Sequence, residues 1–186
     1  AVLNQNDGGT DSGLYGTELI DLNGDGLVDL VYRDSSTQTI QQNYGLPAPA
    51  SYFNAGKGWV LAPTAFESPV DLSFQNQQQG VAFLDVNGDG FSDLLVARDA
   101  GTREVHFGTN QAGWTGSIPA FNLPRQLYDT GSHSGTGTDF VDLSGDGAAD
   151  QIWNLDGSGG AAFSLATPRD RLIKVTNGFG VAVTLS

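Results

Sequence analysis

Short stretches in which apolar and polar side chains alternate recur along the chain, and each breaks off at a cluster of Asp, Asn and Gly. The alternation runs through Gly16-Thr17-Glu18-Leu19-Ile20, Gly80-Val81-Ala82-Phe83-Leu84 and Gly137-Thr138-Asp139-Phe140-Val141. Each stretch passes without a gap into a nine-residue loop: DLNGDGLVD (Asp21 to Asp29), DVNGDGFSD (Asp85 to Asp93) and DLSGDGAAD (Asp142 to Asp150). A second β-like run follows each loop (LVYRD, LLVARD and QIWNLD), and then a turn: SST after Asp34, AGT after Asp99, GSG after Asp156. Period-two alternation bounded by turn residues predicts strands, and no stretch holds a period near 3.6 for long enough to predict a helix. The second run is apolar on consecutive positions in places (Leu30-Val31, Leu94-Leu95-Val96), as expected of sheets covered on both faces.

The copies begin at Asp21, Asp85 and Asp142, and the first interval exceeds the second mainly through an insert around Tyr44 to Ala50. A softer echo keeps the register, since YFNAGKGW (Tyr52 to Trp59) matches HFGTNQAGW (His106 to Trp114). A four-stranded antiparallel meander repeated at about 60 residues is the pattern of propeller blades; a β-solenoid has shorter repeats. The expected fold is therefore all-β, with about three four-stranded blades over residues 14–60, 78–115 and 135–168, and a tail at 169–186. All 186 residues read as one propeller segment, either part of a larger ring or a fragment with open edges.

Composition narrows the partners. Eight basic against 21 acidic residues give a net charge of −13, a field that repels phosphate backbones and anionic lipid, so nucleic acid is excluded as a partner. No apolar run is long enough to span a membrane. Cysteine is absent, which removes disulfides, thiol nucleophiles and zinc–thiolate sites. Methionine is absent even at position 1, so the chain is expected to be a piece of a longer or processed protein whose export signal lies elsewhere.

The loops carry the chemistry. Positions 1, 3, 5 and 9 of each are oxygen donors, and glycine at position 6 permits a sharp turn. With the backbone carbonyl of position 7, five oxygens can wrap one hard cation, and a set without nitrogen or sulfur selects Ca²⁺ over zinc or copper. The expected ligands are Asp21, Asn23, Asp25, the carbonyl of Leu27 and Asp29; Asp85, Asn87, Asp89, the carbonyl of Phe91 and Asp93; and Asp142, Ser144, Asp146, the carbonyl of Ala148 and Asp150. Three ions are thus expected, the third bound most weakly because Ser144 offers a hydroxyl in place of an amide oxygen. An EF-hand needs a glutamate at position 12 and flanking helices. Position 12 here is Tyr32, Val96 or Trp153, in strand-like surroundings. A single DG loop is merely a good hairpin turn. Three copies that crowd nine of the 21 acidic residues into tight loops point instead to a counter-cation.

The D-x-N-G-D-G-x-x-D loop between two strands resembles the calcium loop of FG-GAP and VCBS-type repeats, as in the propellers of integrin α-subunits and of bacterial surface and secreted proteins. The resemblance spans about Gly16 to Thr167. Asn54 to Trp59 and the tail Arg171 to Ser186 are more narrowly similar to segments of SpvB-type virulence proteins and of the B component of insecticidal toxin complexes. There the propeller precedes an Rhs/YD-repeat shell. The tail departs from that family at Phe179 and Val181, where leucine and alanine are frequent. This resemblance implies a secreted or cell-surface bacterial protein, and a non-catalytic, calcium-braced docking scaffold whose partner is another protein or the remaining blades of its parent.

A catalytic constellation is missing. The two histidines, His106 and His133, lie near no nucleophile motif and are expected at the surface, and the glycine-rich GSHSGTG follows no nucleotide-binding pattern. The competing function is calcium-dependent glycan binding, with Trp59, Trp114, Tyr52 and Tyr32 stacking on sugar faces. Recurrence of Trp59 and Trp114 at one repeat position favours packing between blades instead. Open blade edges predict self-association, and Ala1 to Gly13 is expected to be the least ordered segment.

Overall fold

The computed structural model describes residues 16–34, 49–74, 77–98, 102–110, 112–117, 123–129, 131–132, 134–155, 157–164, 174–176 and 182–184. The Ala1 to Gly13 segment, the insert up to Ala48, His133 and most of the tail fall outside these residues.

The first repeat forms a four-stranded antiparallel meander in chain order: β1 (Thr17–Ile20), β2 (Asp29–Tyr32), β3 (Ala50–Asn54) and β4 (Trp59–Leu61). A short hairpin, β5 (Ser73–Phe74) with β6 (Gln77–Gln78), leads into the second repeat. There β7 (Val81–Leu84), β8 (Asp93–Arg98) and β9 (Thr102–His106) pair in sequence, while β10 (Gly108–Thr109) and β11 (Gly113–Trp114) form a separate two-stranded ribbon. A second hairpin, β12 (Tyr128–Asp129) with β13 (Ser134–Gly135), precedes the third repeat of β14 (Thr138–Val141), β15 (Asp150–Leu155) and β16 (Ser158–Ala162). The tail contributes one hairpin, β17 (Lys174–Thr176) with β18 (Ala182–Thr184). Apart from one 3₁₀ turn at Thr64–Phe66, the described elements are strands, and among the described residues no helix is long and apolar enough to cross a membrane.

The expected four strands per blade are met in the first repeat. The second splits its outer strand off, and the third has three strands among the described residues. The joints between repeats are built alike. The Leu72 N–H donates to the Arg33 carbonyl, and the Leu127 N–H to the Ala97 carbonyl. Beside them Asp34 bridges Ser73, and Arg98 bridges Tyr128, both in parallel sense.

Alternation along β8 explains the core. Leu94 and Val96 join Leu22, Val31, Phe66 and Leu72 in one cluster against the first repeat. Leu95 and Ala97 join Val86, Val105 and Leu123 in another, against which Phe140 of the third repeat packs. One strand thus has both faces buried, which is why its sequence is a continuous apolar run.

Candidate metal centres

Each nine-residue loop leaves one strand, turns back and enters the next, so its N–H groups have no ladder partner and must be satisfied locally. The Asp at position 1 does this with both oxygens. Asp21 accepts the N–H groups of Gly24 (2.8 Å) and Gly26 (2.9 Å), Asp85 those of Gly88 (2.7 Å) and Gly90 (2.8 Å), and Asp142 those of Gly145 (2.6 Å) and Gly147 (3.0 Å). That wrapping requires left-handed backbone at positions 4 and 6, where Gly24 and Gly26 have φ of 75° and 84°.

Position 5 repeats the device one step on. Oδ1 of Asp25, Asp89 and Asp146 accepts the N–H of Leu27 (2.8 Å), Phe91 (3.0 Å) and Ala148 (2.9 Å). Position 3 separates the loops. Asn23 and Asn87 accept the Asp25 and Asp89 N–H groups and donate from their amides to those same carboxylates (3.2 and 3.0 Å). The Ser144 hydroxyl instead faces Asp142 Oδ1, at 3.5 Å, and also hydrogen-bonds Asp150. The third loop therefore lacks the link between positions 3 and 5 that the other two share.

The Asp at position 9 does something the spacing did not reveal. Asp29, Asp93 and Asp150 are all fully buried. One oxygen of each accepts the N–H of position 2 in its own loop, from Leu22 (3.0 Å), Val86 (2.9 Å) or Leu143 (2.8 Å). The other accepts an N–H from the end of the third strand or just past it: Asn54 (2.8 Å), Gly108 (2.9 Å) or Ser164 (2.7 Å). This carboxylate clips the loop to the far side of the meander. Asn54 and Gly108 occupy matching positions in the YFNAGKGW/HFGTNQAGW echo, so the sequence did hold a signal for the clip.

Burial acts on these clips unequally. Desolvation pushes Asp93 up to about 7, opposed by the Val86 and Gly108 N–H groups and reinforced by the charges of Asp89 and Asp85. Asp29 is raised, first by burial. Burial also acts on Asp150, but the N–H groups of Ser164, Ser144 and Leu143 outweigh it and hold the carboxyl below the usual range.

Among the described residues, no three Asp, Glu or His side chains converge on one point; the loop carboxylates face backbone N–H groups. The donor chemistry nonetheless fits a hard cation. A carboxylate has about four lone-pair sites, so Asp21, with two N–H bonds, and Asp85, with three, each retain acceptor capacity. The Arg33–Asp71 ion pair (3.1 Å) and the Glu104–His106 contact (3.9 Å) leave all nine loop carboxylates without a cationic side chain among the described residues.

The remaining candidates separate. Trp114 is packed, its ring 5.8 Å from that of Phe83 and its indole N–H directed at the Phe66 carbonyl. Trp59, expected to pack likewise, is 52% exposed. Tyr32 is buried and unable to stack on a sugar, and Tyr52 is half-buried. His106, expected at the surface, is buried on β9 with Nδ1 at 3.1 Å from the Thr115 carbonyl, because β9 lies between β8 and the loop that follows β11.

Residues 21–96 match the FG-GAP-like repeat family, and residues 79–116 the FG-GAP repeat family. No curated protein matches the chain. Among solved structures, one described by the specific recognition of non-reducing terminal N-acetylglucosamine by an Agrocybe aegerita lectin is similar over 81% of this chain and 38% of its own, at 19% identity and a TM-score of 0.47. The chain thus spans well under half the length of that structure.

Proposed function

We propose that this chain, an all-β segment of FG-GAP propeller repeats, is a non-catalytic module whose three loops each take one Ca²⁺ and whose blades dock a protein partner. The observation that carries this reading is the threefold recurrence of one oxygen-lined loop whose carboxylates meet no cationic side chain among the described residues. Asp21, Asn23, Asp25, Asp29 and the Leu27 carbonyl would hold the first ion, with the corresponding residues holding the other two. A bound Ca²⁺ supplies two positive charges against three carboxylates, relieving the repulsion that opposes the tight turn. The toxin-type scaffold is the finer version, and a parent reading frame with YD repeats just past Ser186 would support it.

Metal analysis of the purified protein, with melting curves in calcium, magnesium and chelator, tests the calcium reading. About three Ca²⁺ per chain and a sharp fall in Tm on chelation, poorly reversed by Mg²⁺, are expected. A chelator-insensitive melting curve with no bound calcium would sink it. Half-exposed Trp59 is the aromatic a glycan reading would rest on. Specific, calcium-dependent signals on a glycan array, lost in Trp59→Ala, would replace docking with sugar recognition.

A further inference from the structure

The second and third loops are hydrogen-bonded to each other through the peptides that line them. The Ala148 carbonyl, an expected ligand of the third ion, shares its peptide unit with the Ala149 N–H. That N–H donates to the Asp85 carbonyl of the second loop at 3.1 Å. The Asp85 carbonyl in turn shares its peptide with the Val86 N–H, which donates to the buried Asp93 carboxylate at 2.9 Å. Two planar peptide groups thus connect the clip of the second loop to an oxygen of the third. A further link lies beside them. Ser164, whose N–H holds Asp150 (2.7 Å), donates its hydroxyl to the Val86 carbonyl (2.8 Å). Ala148 is fully buried, so the second repeat and not solvent sets the position of its peptide.

The joint between the first and second loops is made differently. Asp21 and Ser92, the counterparts of Asp85 and Ala149, share no backbone hydrogen bond. Gly108 stands in the place of Ser164 and has no hydroxyl to offer. The two loops meet instead through the Phe91 ring, which lies where a Cβ on Gly24 would stand. A ring fills space there without orienting a ligand oxygen. A hydrogen bond on the far side of a ligand does orient it, and bonds in series strengthen one another. We propose that the second loop positions the third: calcium in the second site raises the affinity of the third through the Asp93–Val86–Asp85–Ala149 chain, while the first site is uncoupled from the second. This rests on the calcium reading above. The carboxylates of Asp85, Asp89 and Asp93 repel one another until a cation offsets them, so an empty second loop holds the Asp85 peptide, and with it the Ala148 carbonyl, less firmly.

A calcium titration of the whole chain followed by NMR is the test. The amides of Gly26, Gly90 and Gly147 each donate to the first carboxylate of their own loop, so their signals report the three sites separately. Asp89→Ala, which disables the second site, should raise the calcium midpoint at Gly147 by about fivefold or more. Asp25→Ala takes the same charge from the first loop and should move the midpoint at Gly90 by less than about twofold, since no peptide chain spans that joint. An unmoved Gly147 in Asp89→Ala, or an equal shift of Gly90 in Asp25→Ala, overturns the coupling and leaves calcium binding intact. Wild type in which none of the three signals responds to calcium overturns the calcium reading and this one with it. Should either variant not fold, hydrogen exchange of the Ala149 amide in wild type decides along the same titration. Its protection should rise as the Gly90 signal moves; protection that stays constant, or follows Gly147 alone, overturns the proposal.

Discussion

The second and third repeats carry the same loop on the same strands, yet their buried clips sit at opposite ends of the carboxylate range. Asp93 is pushed up to about 7 and Asp150 is held low. Both are fully buried and both accept an N–H from position 2 and one from beyond the third strand. The second loop adds little else and lies between two packed neighbours, so desolvation wins. The third gains the Ser144 N–H (3.0 Å) and hydroxyl, and Leu143 beside it is 50% exposed. A motif thus fixes the hydrogen-bond plan, and the neighbours decide what that plan costs in charge.

Chelation is the most drastic way to probe this difference. At a hundredfold excess over Kd a ligand specific for the folded state contributes about 2.7 kcal/mol per site, so losing three sites would remove much of a typical stability of roughly 5–15 kcal/mol. Within that loss, Asp89→Ala should lower the calcium-bound Tm more than Asp146→Ala. Equal losses would dissolve the distinction between the loops.

Packing gives the next largest contrast. Leu95→Ala empties a fully buried position and should cost about 2–5 kcal/mol in denaturant unfolding, whereas Ile152→Ala at the matching, half-buried position should cost about half as much. Similar values would mean that the third repeat is as well covered as the second.

Protonation should separate the clips in chelator. Asp93, raised in the folded state, contributes stability that is complete below the ordinary carboxylate range and is lost as pH rises through about 7. Asp150, depressed, contributes stability that is present above that range and lost as pH falls below it. Carboxyl carbon shifts recorded by NMR should show a midpoint near 7 for Asp93 and a low one for Asp150. Two midpoints in the ordinary carboxylate range would refute the assignment.

The smallest effect is a repair. Ser144→Asn restores the acceptor that Asn23 and Asn87 provide to the position-5 N–H, and should add about 0.5–1.5 kcal/mol in calcium. A loss of stability would show that the serine is held by something other than this loop geometry.

Much of this protein was legible in its sequence, for local reasons. A glycine at position 6, oxygen donors on alternate positions and period-two flanks are short-range constraints, so the loop, its strands and the threefold repeat follow from residues a few positions apart. The missing link between positions 3 and 5 at Ser144 follows from the same local chemistry. Three things depended on contacts across dozens of residues or between repeats. The Asp29–Asn54 bond joins positions far apart in the chain, and no local spacing announces that position 9 is a buried clip as well as a donor. Trp59 and Trp114 share a repeat position, but only Trp114 has a repeat in front of it, so one is packed and the other exposed. His106 reads as a surface residue in a strand and is buried because the segment beyond β11 folds over it. Neighbouring residues alone settle which atoms each loop offers. Folding settles which of those atoms are buried and which apolar faces are left open, because burial is a property of neighbours in space and not of a motif.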